Sequence, residues 1–225
     1  MPVFTHNMIK SSEIKKIVND YSDVRIGVLG SHSALEVMDG AKDENFQTAV
    51  FCQKGREGPY QRFGRIADEI VVLNKFKDMA SAKNQKMLRD TNTIVVPHRS
   101  LTVYLGYKTI EDSFKVPIFG NRKLFQAEER TAKKGQYYLL EKAKIKYPKL
   151  FKDPKRINKP CIVKVQEKKR PLERAFFTVS SYKDYKEKSE AKIKQGLIAR
   201  KDLEKASIEE LAIGTYMNFN FFHTP

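Results

Sequence analysis

Residues 27–33 read Gly27-Val28-Leu29-Gly30-Ser31-His32-Ser33, an apolar run that ends in a turn of small residues and a histidine. Such a run predicts a buried β-strand, and the apolar spacing of the residues after Ser33 predicts a helix. A strand that ends in Gly-Ser-His before a helix brings backbone N–H groups, a hydroxyl and an imidazole together. The stretch therefore favours an α/β protein that holds a phosphorylated ligand. The stretch is not a full G-x-G-x-x-G motif, so the alternative that this turn binds no ligand remains open.

Short apolar strands alternate with helices over the first 120 residues. We expect strands over 25–29, 47–52, 70–73 and 94–96, a fifth strand within 116–122, and helices beginning near residues 11, 34 and 80, the second of them ending at Gly40. This alternation is typical of a parallel, doubly wound sheet. In such a sheet the carboxyl ends of the strands share one edge, so the turns after the first, second and fourth strands meet in one crevice.

Three of these turns carry polar side chains suited to a phosphate together with a polar base or sugar. His32 and Ser33 follow the first strand, and the residues Pro97-His98-Arg99-Ser100 follow the fourth. The loop after the second strand supplies Arg56, Tyr60 and Arg62. One alternative remains for His98, which follows a proline: it is a turn residue whose ring is satisfied by the backbone.

The remaining half predicts a second domain. We expect a helix over 124–144, a charged connection over 149–159, strands over 161–165 and 175–179, a helix over 182–195, and strands over 208–214 and 216–222. The last strand pair lacks neighbours to cover it. We therefore expect either assembly through this edge or the N-terminal part of a longer fold.

Composition indicates a globular protein of 225 residues, 40% hydrophobic and 11% aromatic. No apolar run approaches the roughly 20 residues of a membrane span, and the first ten residues lack the apolar core of a signal peptide, so we expect a cytoplasmic location. Cys52 and Cys161 lie in apolar, strand-like contexts without C-x-x-C spacing, which predicts small core residues rather than a metal site or disulfide.

The net charge of +16 is concentrated after residue 120. Residues 1–120 hold 17 Lys/Arg and 14 Asp/Glu, whereas residues 121–206 hold 26 and 11. A basic second half indicates a nucleic acid, a polyphosphate ligand or a solvated lysine-rich surface. Zinc-finger, RRM and helix-turn-helix signatures are absent, so nucleic acid ranks last.

Several motifs occur in the order found in a known family: Leu29-Gly30-Ser31-His32-Ser33, Lys54-Gly55-Arg56, Pro59-Tyr60, Arg62-Phe63, Val95-Val96-Pro97-His98 with Ser100, Val116-Pro117-Ile118-Phe119-Gly120-Asn121-Arg122 and Ile208-Glu209-Glu210. Over essentially its whole length the chain resembles the archaeal formate-dependent AICAR ligases (FAICAR synthetases) of the ATP-grasp superfamily. The resemblance implies a Rossmann-like ribotide-binding domain over 1–122 and an ATP-grasp α+β domain, incomplete in this chain, over 123–225.

The resemblance also implies an activity. Family members use ATP to join formate to the amine of 5-aminoimidazole-4-carboxamide ribotide through formyl phosphate, one step before IMP, with Mg²⁺ or Mn²⁺ offsetting charge. By position, the ribotide site would include His32 and Ser100, with Ser31, Arg56 and Tyr60 from the crevice. Lys164 would contact nucleotide phosphate, and the hinge that reads adenine and ribose would comprise Glu209, Glu210, Leu211 and Ala212. The metal-binding carboxylates would lie beyond residue 225, and assembly of like chains is implied.

The sequence departs from the family at three points. The loop 166–174 has no glycine and four cations where the family has a glycine-rich loop over the triphosphate. Arg99 stands where the family usually has glycine, and Gln136 where an ATP-grasp lysine is common. Two alternatives therefore accompany the ligase: a catalytically altered paralogue that serves as a nucleotide-binding or regulatory subunit, and a basic nucleic-acid-binding protein.

Overall fold

The computed structural model describes residues 8–127, 135–165, 176–215 and 217. The chain divides into two compact units, the first ending at Gln126 and the second beginning at Ala127. The predicted boundary between residues 122 and 123 lies shortly before this division.

The first unit contains a parallel four-stranded sheet in the order β3-β2-β1-β4. Its strands are β1 (Arg25–Leu29), β2 (Gln47–Gln53), β3 (Glu69–Leu73) and β4 (Thr93–Val95). In the centre, β1 pairs with β2 from Arg25↔Gln47 to Leu29↔Phe51. The predicted parallel α/β fold of this unit is confirmed.

Apolar residues alternate between the two faces of this sheet. Val28, Val50 and Cys52 belong to one core cluster, whereas Leu29 and Phe51 belong to another. Because successive strand residues point to opposite faces, continuous apolar runs such as these produce a sheet buried on both sides.

Six helices surround the sheet in the described part of this unit: α1 (Ser11–Asn19), α2 (Ala34–Asp43), α3 (Gly58–Arg62), α4 (Ala82–Asp90), α5 (Arg99–Leu105) and α6 (Tyr107–Asp112). Short 3-10 turns cover Gly64–Ile66, Phe76–Ala80 and Arg122–Leu124. The predicted end of α2 at Gly40 is wrong, because a single glycine weakens a helix without having to end it.

The predicted fifth strand is reduced to a single parallel bridge between Val95 and Ile118. The N–H of Val95 donates to Pro117 O and the N–H of Phe119 donates to Val95 O, both over 2.9 Å. The preceding segment instead folds as α5 and α6, which the sequence did not predict.

The second unit is built on an antiparallel sheet in the order β6-β5-β7. Its elements are α7 (Gln136–Lys142), β5 (Cys161–Lys164), β6 (Phe176–Val179), α8 (Tyr182–Lys194), α9 (Arg200–Leu203) and β7 (Ser207–Glu210), with a 3-10 turn at Pro154–Arg156. Buried Val163, Phe177, Val179 and Ile208 form part of its core.

Two predicted elements of this half are corrected. The helix expected over 124–144 does not form at its start, where a 3-10 turn ends at Leu124 and residues 125–127 make a further turn. The strand expected over 208–214 ends at Glu210, because its partner strand is preceded by Pro160, which has no N–H to continue the ladder.

Some expectations fall outside the described residues, namely the loop 166–174 and, apart from Met217, the strand 216–222. Cys52 and Cys161 are both buried and free, as predicted. No helix in the described residues combines the length and apolar character needed to cross a membrane.

Candidate functional site

The strand order reverses at β1. The chain passes from β1 to β2 and β3 on one side and then adds β4 on the other. Open parallel sheets bind ligands in the crevice outside the carboxyl ends of the strands at such a point. His32 follows β1 and His98 follows β4, and their rings stack with centroids 5.9 Å apart and planes 19° apart. The topology therefore brings the two histidines together at the predicted crevice.

Both ring nitrogens of His98 are occupied by the protein. Nε2 lies 2.8 Å from Leu29 O, and Nδ1 accepts the N–H of Ser100 over 3.2 Å. A carbonyl can only accept, so the proton is on Nε2 and the ring is neutral. Burial lowers the pKa of His98, the Leu29 carbonyl opposes this shift, and the neighbouring His32 adds to it. The interpretation of His98 as a turn residue satisfied by the backbone is confirmed.

His32 is held in a conformation that few side chains adopt. Its φ of 48° lies in the left-handed region, which costs about 1–2 kcal/mol for a residue other than glycine. The side chain is exposed, and its Nδ1 lies 2.6 Å from the hydroxyl of Ser33. Directly before it, the N–H of Ser31 turns back to donate to Leu29 O over 2.7 Å. This tight turn presents an imidazole at the carboxyl edge of the sheet.

Gly30 allows the turn to approach the neighbouring strand. A Cβ at this position would lie 2.7 Å from Cys52 Cβ and 3.0 Å from Tyr60 Cε2. The Tyr60 ring is buried beneath the turn, and burial raises its pKa to about 12 although nearby Arg56 opposes the shift. Tyr60 therefore supports the β1 turn from below with a neutral phenol.

Arg56 lies in the loop after β2. Its guanidinium carbon is 5.5 Å from the centroid of the Phe76 ring, and that ring packs on Tyr104 of α5 at 4.4 Å. This cation–aromatic cluster was not predicted, because Phe76 and Tyr104 are distant in sequence and carry no local motif.

Ser100 is the second residue of α5 and is buried. The structure thus joins Ser100 to the histidine pair and Arg56 to Tyr60 and Phe76.

In the second unit, Lys164 of β5 forms an ion pair with Glu209 of β7. The Glu209 side chain is 3% exposed and that of Lys164 is 19% exposed. Ser207 also donates to Glu209, over 2.9 Å, and Tyr137 of α7 provides a further hydrogen bond. Burial by itself would raise the pKa of Glu209, but these donors outweigh it and leave the pKa lowered. The carboxylate is therefore ionised and fully engaged.

Glu210, Leu211 and Ala212, the next residues of the predicted hinge, differ in their hydrogen bonding. Glu210 accepts from Lys159 Nζ over 2.8 Å, and this bond lowers the pKa of its carboxyl group. The N–H of Leu211 donates to Pro160 O over 2.9 Å. Ala212 is exposed, and among the described residues its N–H has no acceptor. A main-chain donor is thus available at Ala212, directly after β7.

A metal site is not found in the part of the chain that the structure describes. Across residues 8–127, 135–165, 176–215 and 217, no three His, Cys, Asp or Glu side chains are grouped to hold an ion. The described residues therefore do not fit a Mg²⁺ site.

The fold defines a two-unit α/β protein, with a crevice at the switch point of its first sheet. The chain belongs to the family described as "Protein of unknown function (DUF1246)", which matches residues 26–151. A second family, "Domain of unknown function (DUF1297)", matches residues 184–225.

Similar proteins agree with this assignment. A 5-formaminoimidazole-4-carboxamide-1-(beta)-D-ribofuranosyl 5'-monophosphate synthetase of Methanopyrus kandleri is 40% identical over 96% of this chain and 60% of its own. The protein of the same name from Methanothermobacter thermautotrophicus is 39% identical over 96% of this chain and 59% of its own. The resemblance to the FAICAR synthetases is confirmed, and this chain spans about 60% of the length of these relatives.

A solved structure supports the fold. The IMP biosynthesis protein PurP from Thermococcus kodakaraensis matches with a TM-score of 0.53 at 22% identity, covering 84% of this chain and 50% of that one.

Proposed function

We propose that this chain forms the ribotide- and nucleotide-binding part of a ligase for purine biosynthesis. The reaction would join formate to the amine of 5-aminoimidazole-4-carboxamide ribotide with ATP. The observation that carries this proposal is the 40% identity, over 96% of the chain, to a synthetase named for the formamido ribotide product. The histidine pair at the switch-point crevice supplies a site of suitable chemistry.

For the ribotide, the exposed imidazole of His32 is the principal binding group, with Ser31 beside it and Ser100 across the crevice. Imidazole and hydroxyl groups can donate to and accept from a carboxamide or a sugar. Arg56 provides positive charge on the same sheet edge, and Tyr60 supports the turn from below. His98 positions the site, because both of its nitrogens are already bound to the backbone.

For ATP, the second unit offers a cation and a main-chain donor. Lys164 would hold a phosphate group, which requires it to exchange Glu209 for a phosphate oxygen. The N–H of Ala212 would bind the adenine edge, with Leu211 beside it and the carboxylates of Glu209 and Glu210 near the ribose. When bound, ATP would supply the phosphoryl group that activates formate. No step is assigned to Mg²⁺, because the described residues do not fit a metal site.

Calorimetric titration of the chain with the aminoimidazole ribotide tests the first site. His32→Asn removes the imidazole but retains a residue that tolerates a left-handed backbone. We expect the dissociation constant to rise about ten-fold, the equivalent of one hydrogen bond. Asn92→Ala is the matched control, since Asn92 is also left-handed, with φ of 51°, but precedes β4 at the opposite edge.

The same titrations separate the alternatives. Ribotide and ATP that bind without any turnover would favour a nucleotide-binding or regulatory subunit. No heat with the ribotide, combined with steeply salt-dependent binding of nucleic acid, would favour the nucleic-acid-binding protein. Assembly of like chains and a cytoplasmic location stay predictions, and light scattering checks the first.

A further inference from the structure

Arg99 is the first residue of α5 and directly follows His98 at the carboxyl end of β4. Its side chain is exposed, and within the described residues no hydrogen bond or ion pair engages the guanidinium. Two other arginines of the first unit are engaged: Arg65 pairs with Asp39 over 2.9 Å, and Arg122 donates to main-chain carbonyls. Arg99 is therefore available to a ligand.

Two main-chain donors at this turn are already used. The N–H of Ser100 donates to the His98 ring over 3.2 Å, and the N–H of Leu101 donates to His98 O over 2.9 Å. Neither group can bind an anion without losing its present acceptor. With these two donors engaged, a side-chain cation is the stronger donor for an anionic group beside β4.

The location of Arg99 favours the ligand of the histidine pair. It is the next residue after His98, whose ring stacks on the exposed His32 at 5.9 Å. Arg56, one of the cations contributed from the segment after β2, already lies over the Phe76 ring at 5.5 Å. Arg99 thus carries the guanidinium that is directly adjacent in sequence to the histidine pair.

We propose that Arg99 binds the 5'-phosphate of the ribotide, an inference that rests on the function proposed above. The product named for the relatives carries a 5'-monophosphate. A guanidinium can donate two parallel N–H bonds to two phosphate oxygens, a geometry that an ammonium group cannot match. Arg99 therefore distinguishes the phosphorylated ligand from its nucleoside.

The test compares two probes on the full chain: 5-aminoimidazole-4-carboxamide ribotide and the corresponding riboside, which lacks the phosphate. We expect Arg99→Ala to raise the dissociation constant of the ribotide about ten-fold or more and to leave that of the riboside unchanged. Arg99→Lys should give an intermediate loss for the ribotide. Arg65→Ala is the control, because Arg65 is an exposed arginine that precedes β3 at the amino edge of the sheet.

Each contrary result has a distinct meaning. If Arg99→Ala weakens both probes equally, or neither, Arg99 does not read the phosphate, while the ribotide site itself stands. If the wild-type chain binds neither probe, the proposed ribotide site fails and the role of Arg99 fails with it.

Discussion

The imidazole of His98 ties the end of β4 to the end of β1, because its Nε2–H donates to Leu29 O over 2.8 Å. The two strands flank the switch-point crevice, and β1 continues directly into the turn that presents His32. One half-buried side chain thus fixes the separation of the two walls of the proposed ribotide site.

Replacing His98 should destabilise the first unit. In His98→Ala, the Ser100 N–H loses its acceptor and the Leu29 carbonyl keeps only the Ser31 N–H, and we expect a loss of about 1–3 kcal/mol in the free energy of unfolding. Urea denaturation followed by circular dichroism measures this change. A variant as stable as the wild type would show that solvent replaces both bonds without cost.

Acid should weaken the same contact. Burial lowers the pKa of His98 in the folded state, so the unfolded chain binds a proton more readily. This contribution to stability is fully present above the ordinary histidine pKa of 6.5 and decreases as the pH falls below it. Between pH 7.5 and 5, about the range of histidine titration, His98→Asn should lose less stability than the wild type. Equal losses of stability in His98→Asn and in the wild type would contradict the assignment of a neutral ring to His98.

Gly30→Ala should disturb the site, whereas Gly40→Ala should not. A Cβ at Gly30 would lie 2.7 Å from Cys52 Cβ, and such overpacking costs about 1–3 kcal/mol. A Cβ at Gly40 in α2 would meet no atom within 4 Å, and alanine there should stabilise the helix by about 0.5–1 kcal/mol. Thermal denaturation of both variants gives the comparison, and shifts of the same sign would refute it.

Arg122 should be among the residues most sensitive to substitution. Its guanidinium donates to the carbonyls of Phe114 and Val116, each over 2.8 Å, and to that of Ile110. Burial lowers the pKa of Arg122 to about 10, so it remains charged at neutral pH. Arg122→Met leaves these carbonyls without a donor and should cost about 3 kcal/mol or more in urea denaturation. The exposed control Arg65→Ala should change stability by less than about 0.5 kcal/mol.

The Lys164–Glu209 pair allows stability and nucleotide binding to be separated. Lys164→Met leaves a buried, ionised Glu209, so we expect a loss of about 3 kcal/mol together with loss of ATP binding. The double variant Lys164→Met/Glu209→Gln removes both charges and should regain most of the stability without regaining ATP binding. Urea denaturation and calorimetry on the same samples measure both. Unchanged ATP affinity in either variant would show that the lysine assignment is wrong.

Local sequence predicted the first sheet well for a physical reason. Buried parallel strands are continuous apolar runs, and the expected bounds of 25–29 agree with β1. Helices α5 and α6 were missed because they are seven and six residues long, too short to show a clear period of 3.6. The packing of these two helices on the segment that contains Phe76 depends on the tertiary fold. The contacts of Arg122 depend on it as well.

The sequence allowed us to predict where the candidate sites lie but not which contacts their residues make. The position of His32 and Ser100 after parallel strands placed them at one edge. The hydrogen-bond pattern of the His98 ring, the burial of Tyr60 under Gly30 and the pairing of Lys164 with Glu209 required the folded structure. The pairing of Lys164 with Glu209 depends on the register of β5 with β7, in which Ile162 is opposite Glu209 and Lys164 is opposite Ser207.

The Lys164–Glu209 pair gives the Lys164 ammonium group a counter-ion from within the second unit. A partly buried cation is costly without a counter-ion, and Glu209 serves in that capacity. If ATP binds at Lys164 as proposed, binding exchanges one anion for another, so part of its electrostatic gain is offset by the loss of the existing pair. Nucleotide should therefore raise the unfolding midpoint only by mass action, in proportion to its affinity and concentration.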